Sequence, residues 1–99
     1  MIVVTGSVMA REDSLDEVRR LSLEHVHRSR NDPGCISHAV HADCENPLRL
    51  VFIEQWTERA ALPAHFAVSG SRDFVRALQP LAAAATTIEI YDAARLEKL

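Results

Sequence analysis

One stretch, residues 50–66, brings a carboxylate, an indole and an imidazole to a single strand-to-helix junction. An apolar run passes through Glu54 and Trp56 and enters a helical segment carrying His65. A hydrogen-bond acceptor, a flat π-surface and a group titrating near neutral pH are the parts a site for a small aromatic molecule needs. The same residues also have an ordinary reading, because strands bury Trp and a lone helical His is often a satisfied core residue.

The remaining candidates for chemistry narrow the choices. Five histidines invite a metal reading, but their local spacing opposes it. His25 and His27 point apart on a helix, His38 and His41 fall on opposite faces of a strand, and no His-x-x-x-His or Cys-x-x-Cys occurs. No metal is therefore expected short of a long-range convergence. Three glycines provide neither a phosphate loop nor a dinucleotide fingerprint, and no serine-hydrolase elbow is present. Cys35 and Cys44 match neither a redox pair nor a zinc knuckle. They lie near opposite ends of one strand, too far apart to bridge, and are expected as free thiols of a reducing cytoplasm.

The elements that must hold these residues follow from pattern. Residues 2–9 are nearly continuously apolar and predict a strand buried on both faces. Ser14 followed by Glu17 has capping-box spacing for a helix running to about Asn31, where Asp32-Pro-Gly-Cys35 suits a type II turn. Residues 35–42 and 48–56 predict two strands joined by a hairpin loop. Thr57 opens a helix through Val68, Ser69-Gly-Ser71 breaks it, and a further helix covers residues 72–83, with Pro63 and Pro80 as local imperfections. A last strand covers residues 87–93.

This order is one α+β domain over residues 1–99: a ferredoxin-like four-stranded antiparallel sheet with helices on one face. The uncovered face predicts a homodimer, since a chain of 99 residues that is 47% apolar struggles to hide its apolar surface alone. A formal charge of −3 without a basic cluster argues against nucleic acid and membrane partners. No basic leader opens the sequence and no run approaches a membrane span, so a soluble cytoplasmic protein is expected.

At 100° per residue, Leu15, Val18, Leu21 and Val26 mark the inward arc of the first helix, and Ser22, His25 and Ser29 fall within it. Small polar residues in a core-facing stripe either leave room for a cavity or pack tightly with His25 tied to a carbonyl. In the second helix Ala61, Leu62 and Phe66 mark the inner face, and His65 points inward with them. On the strands, Phe52, Glu54 and Trp56 share one face, as do Ile36, His38 and Val40. A pocket between helices and sheet is expected, with His65, Trp56, and Ser22 or His25 in its wall.

The motifs NDPGCI at residues 31–36, VFIEQW at 51–56 and AALPAHF at 60–66, then Phe74 and LQPL at 78–81, resemble in that order the antibiotic biosynthesis monooxygenase family. The similarity spans nearly the whole chain. It implies a dimeric α+β barrel that oxidises quinols, anthrones or similar activated aromatics with O2, without metal or flavin. By position, Glu54, Trp56 and His65 match the family's Glu-x-Trp and helical His, while His38 stands where many members carry a tyrosine. The haem-degrading branch places a His on its last helix and an Asn on its first strand; Phe74 to Leu78 and Thr5 to Ser7 hold neither.

The expected roles are His65 as base with His25 as second choice, Glu54 orienting a histidine or hydroxyl, and Trp56, Ser22, His38 and Phe66 contacting substrate. No cofactor is expected. The partners are a small aromatic molecule, O2 and a second copy of the chain. A non-catalytic dimeric binding or stress-response domain, or a lactone isomerase, remains open on the same fold.

Overall fold

The computed structural model describes residues 1–99 as β1 (Ile2–Met9), α1 (Leu15–Ser29), β2 (Cys35–Ala42), β3 (Arg49–Trp56), α2 (Ala61–Ala67), α3 (Ser69–Leu78) and β4 (Thr87–Asp92). The four strands form one antiparallel sheet in the order β2-β3-β1-β4, the split βαβ arrangement. All three helices lie on one face.

Strand alternation sets what that face contains. Val4 and Val8 of β1, with Leu50, Phe52, Glu54 and Trp56 of β3, are buried beneath the helices. Val3, Thr5, Ser7 and Met9 on the other face of β1 are only half-buried, and Ile53 of β3 is exposed. The expected two-sided burial of β1 is therefore absent in the single chain. Its outer face mixes Thr and Ser with Val and Met.

Local chemistry moved several helix ends. Ser14 does not cap α1, because its hydroxyl donates to the Leu81 carbonyl at 2.7 Å, and Glu17 pairs with Arg20 instead. α1 stops at Ser29, short of Asn31. The break between α2 and α3 falls at Val68 (φ −60°, ψ 132°), so Ser69 and Gly70 open α3 rather than interrupt it, and α3 ends at Leu78. Pro63 occupies the first turn of α2, where its missing N–H has no intrahelical partner to lose.

The turn after α1 forms as expected: Gly34 has φ 82° and the Cys35 amide donates to the Asp32 carbonyl at 3.1 Å. Thr57 N–H donates to the Gly34 carbonyl at 2.8 Å, tying this turn to the end of β3. In β2 a bulge between Cys35 and Ser37 breaks the alternation, so Ile36 is exposed and does not share the buried face of His38. Cys35 and Cys44 are both free thiols.

The helices leave the helix-side residues of β4 largely uncovered. Ile88 and Ile90 pair with Gly6 and Val4 and so face the helix side, yet both are exposed. That uncovered edge leaves an opening between α3 and the sheet. No helix is long and apolar enough to cross a membrane.

Candidate active site

Of the 19 buried residues, 11 are apolar and the other 8 are Ser14, Ser22, His25, Ser29, His38, Glu54, His65 and Ser71. Buried imidazoles and carboxylates cost stability unless paired, and here they collect at one end of the helix–sheet layer. α1 contributes His25, β2 His38, β3 Glu54 and α2 His65. The imidazole centroids of His25, His38 and His65 lie 5.3–5.7 Å apart.

The tightly fixed member is His65. Its Nδ1 lies 2.6 Å from Oδ2 of Asp32, carried by the turn that Gly34 makes possible. A carboxylate oxygen accepts, so in the neutral ring Nδ1 holds the proton and Nε2 keeps the lone pair. His65 is 2% exposed, with its ring centroid 4.7 Å from that of Trp56.

His25 stacks on Phe74, centroids 4.2 Å apart and planes 9° from parallel. Its Nδ1 lies 2.5 Å from Arg28 Nη2. A guanidinium only donates, so the proton of the neutral ring sits on Nε2. Burial, then His38, Arg28 and His65, pushes its pKa down to about 3. His25 is accordingly a neutral N–H donor at neutral pH, and unsuited to the base role held open for it.

His38 is buried without a hydrogen-bond partner on either ring nitrogen. Its Nε2 lies 3.3 Å from Glu54 Oε1, close enough for electrostatic attraction but misaligned for a hydrogen bond. Trp56 Nε1 donates to the same oxygen at 2.9 Å. Burial pushes the Glu54 carboxyl up, but contact with His38, the Trp56 indole and the nearby His65 outweigh it and hold the group below its ordinary range. Burial, with Glu54 and Asp32 nearby, pushes the Cys35 thiol up and so disfavours the thiolate that a nucleophile needs.

Beside this cluster lies a cavity of about 880 Å³ running under α3 to β1 and β4. Phe52, Phe74, Leu78 and Ile88 supply apolar wall, His25, Glu54 and His65 its polar part, and Arg72 and Arg76 border it from α3. Gly6 keeps the sheet side open, since β1 alternation would aim any side chain there at the helices.

Of the residues singled out from sequence, His65, Glu54, His25 and Phe66 line this cavity, whereas Trp56, Ser22 and His38 do not. Trp56 is fully buried with Ile2, Val4 and Leu62, so it offers no free face for stacking and instead fixes Glu54. Ser22 is fully buried behind the cavity with an unpartnered hydroxyl, and the Ser29 hydroxyl is spent on the His25 carbonyl at 2.6 Å. Phe66, expected inward on α2, is 41% exposed because Leu62 and His65 take the inner positions.

Three residues were missed. Asp32 read as a turn former, Phe74 entered only through the family resemblance, and Arg28 was not singled out. An acidic residue directly before Pro-Gly was the available signal for Asp32.

The sheet order and one-sided helices define a ferredoxin-like α+β protein with a cavity between layers. Residues 1–77 match the antibiotic biosynthesis monooxygenase family, and the chain belongs to it. It is similar to the Synechocystis protein sll1783, whose role is uncharacterized: 35% identity over 98 residues, covering 99% of this chain and 67% of that one. A crystal structure of an antibiotic biosynthesis monooxygenase superposes with a TM-score of 0.89 at 28% identity, covering 96% of this chain and all of the other. The fold of a Deinococcus radiodurans protein agrees at a TM-score of 0.94 and 23% identity, covering 100% of this chain and 98% of that one.

Proposed function

We propose that the protein is a cofactor-independent monooxygenase acting on a quinol, anthrone or similar electron-rich aromatic, with O2 as co-substrate. The observation that carries this reading is the Asp32–His65 pair at the wall of an apolar cavity. Asp32 fixes the tautomer that leaves Nε2 of His65 free to take a proton, and stabilises the imidazolium that results.

His65 removes a proton from the activated substrate. The resulting anion reduces O2 and combines with it to form a substrate peroxide. The peroxide releases water, taking back the proton held by His65, and leaves a carbonyl; for an anthrone, the ring methylene and one O2 become a ring carbonyl and one water. The difficult electronics belong to the substrate, so the protein deprotonates, orients and excludes bulk water. Phe74, Phe52 and Phe66 supply the apolar contact first assigned to Trp56. His25, neutral and protonated on Nε2, is placed to donate to a developing oxyanion. A second copy of the chain covers the outer sheet face and completes the barrel that the family resemblance implies.

Substrate-dependent O2 uptake by chelator-treated protein, across a panel of quinols and anthrones, tests the reading. Turnover that His65→Ala abolishes supports it. Tight binding of the same compounds without O2 uptake would favour the non-catalytic domain.

A further inference from the structure

The local spacing of the histidines opposes a metal site, yet the fold brings three of them together from three elements. We infer that His25, His38 and His65 form a binding site for a borderline divalent transition-metal ion of the Zn2+ or Co2+ kind, with its open position toward the cavity. One ring nitrogen from each residue lies within 4.8 Å of the other two. Three imidazoles around a tetrahedral ion need separations of about 3.3 Å, so closure asks for shifts of at most about 0.9 Å per ring.

Two further observations support the site independently of that convergence. His38 is buried with no hydrogen bond on Nδ1 and only a misaligned 3.3 Å contact from Nε2 to Glu54, a cost that a metal bond would remove. His65 already gives its remote nitrogen to a carboxylate, the arrangement that orients metal-binding histidines and raises their basicity. Three neutral nitrogens suit Zn2+, Co2+ and Ni2+ better than Mg2+ or Ca2+. Asp32 and Glu54 nearby offset the cation's charge.

One group opposes the ion and sharpens the test. Arg28 occupies Nδ1 of His25, whereas metal on Nε2 moves the ring proton to Nδ1, which then needs an acceptor. Arg28 must therefore withdraw. Gly70 is the space through which its side chain passes, since a Cβ there would lie 2.5 Å from Arg28 Nε.

This inference goes beyond the proposed reaction and bears on it. A metal would take the lone pair of His65 that the oxidation needs, and so act as a brake on it.

The test is direct titration of chelator-treated protein with Co2+ and then Zn2+, read by cobalt d–d absorption and calorimetry. One Co2+ per chain, displaced by Zn2+, is expected. His38→Ala should weaken binding at least about 100-fold, Asp32→Asn about 10-fold or more, and Arg28→Gln, which offers Nδ1–H an acceptor, should tighten it about 10-fold. Replacing the exposed His27 and His41 together should change nothing. No stoichiometric binding, or binding lost only in the His27/His41 variant, overturns the inference. Should His38→Ala fail to fold, His65→Gln must show the same loss. Because binding is read without substrate, failure of the oxidation reading leaves this result intact, and the reverse also holds.

Discussion

The two ends of the helix–sheet layer are built on the same strands and helices but solve different problems. At one end Val8, Ala10, Val18, Val26, Leu50, Phe52 and Leu78 interlock as an apolar cluster. At the other, His25, His38, His65, Glu54 and Trp56 meet beside Asp32, with Ile2, Val4 and Leu62 packed around the indole. Burial at the first end is rewarded by roughly 25 cal/mol per Å² of apolar surface and tolerates substitution by size. Burial at the second is tolerated only because contacts such as Asp32 to His65 and Trp56 to Glu54 are directional. The apolar end therefore holds the sheet and α1 in place, and the polar end uses that rigidity to aim imidazoles.

The largest effect that separates the two ends is on stability. Leu50→Ala, at a position 3% exposed, should cost about 2–5 kcal/mol while leaving turnover per folded molecule within about 3-fold. Urea unfolding at one fixed protein concentration is the check, because a dimer's stability depends on that concentration. The converse change, His65→Ala, should leave the fold intact and cut turnover by about 100-fold or more, equivalent to about 2.7 kcal/mol of barrier. Asp32→Asn should also lower kcat, because the carboxylate fixes the His65 tautomer and stabilises the imidazolium formed during the reaction. Equal losses of activity from Leu50→Ala and His65→Ala would erase the distinction between the ends.

The apolar end was readable from sequence because it obeys periodicity: Val18 and Val26 fall on the helical arc, and Leu50 and Phe52 on alternate strand positions. The inward His65 and the shared face of Glu54 and Trp56 were readable for the same reason. What periodicity could not supply is convergence. His25, His38 and His65 are separated by intervals of 13 and 27 residues and meet only through the sheet order. The bulge that turns out Ile36 is invisible to a strict two-residue alternation. Asp32 was hidden because Asp before Pro-Gly is explained well enough as a turn.

That turn supplies the next test. Gly34 has φ 82°, and a Cβ would lie 2.8 Å from the Ala61 Cβ and 3.0 Å from Thr57 Oγ1. Gly34→Ala should cost about 1–2 kcal/mol from backbone strain. It should also lower turnover, because the turn that positions Asp32 must shift. A loss of stability with unchanged kinetics would mean that Asp32 finds His65 without the turn's help.

The last effect concerns His25 and acid. Burial first, then His38, Arg28 and His65, holds its pKa at about 3, against an ordinary value of 6.5. Between those values the unfolded chain binds a proton that the folded chain refuses. The contribution is thus fully present above about pH 6.5 and falls away as pH drops toward 3, with a slope of at most about 1.4 kcal/mol per pH unit. His25→Phe keeps an aromatic ring against Phe74 and removes the proton acceptor. Its stability should therefore depend less on pH between about 6 and 4 than the parent's, measured by urea midpoints across that range. Arg28 loses its acceptor in this variant, but a guanidinium stays charged throughout the range and adds no slope of its own. An unchanged slope would assign the acid sensitivity to other groups and leave His25 as little more than a partner for Phe74.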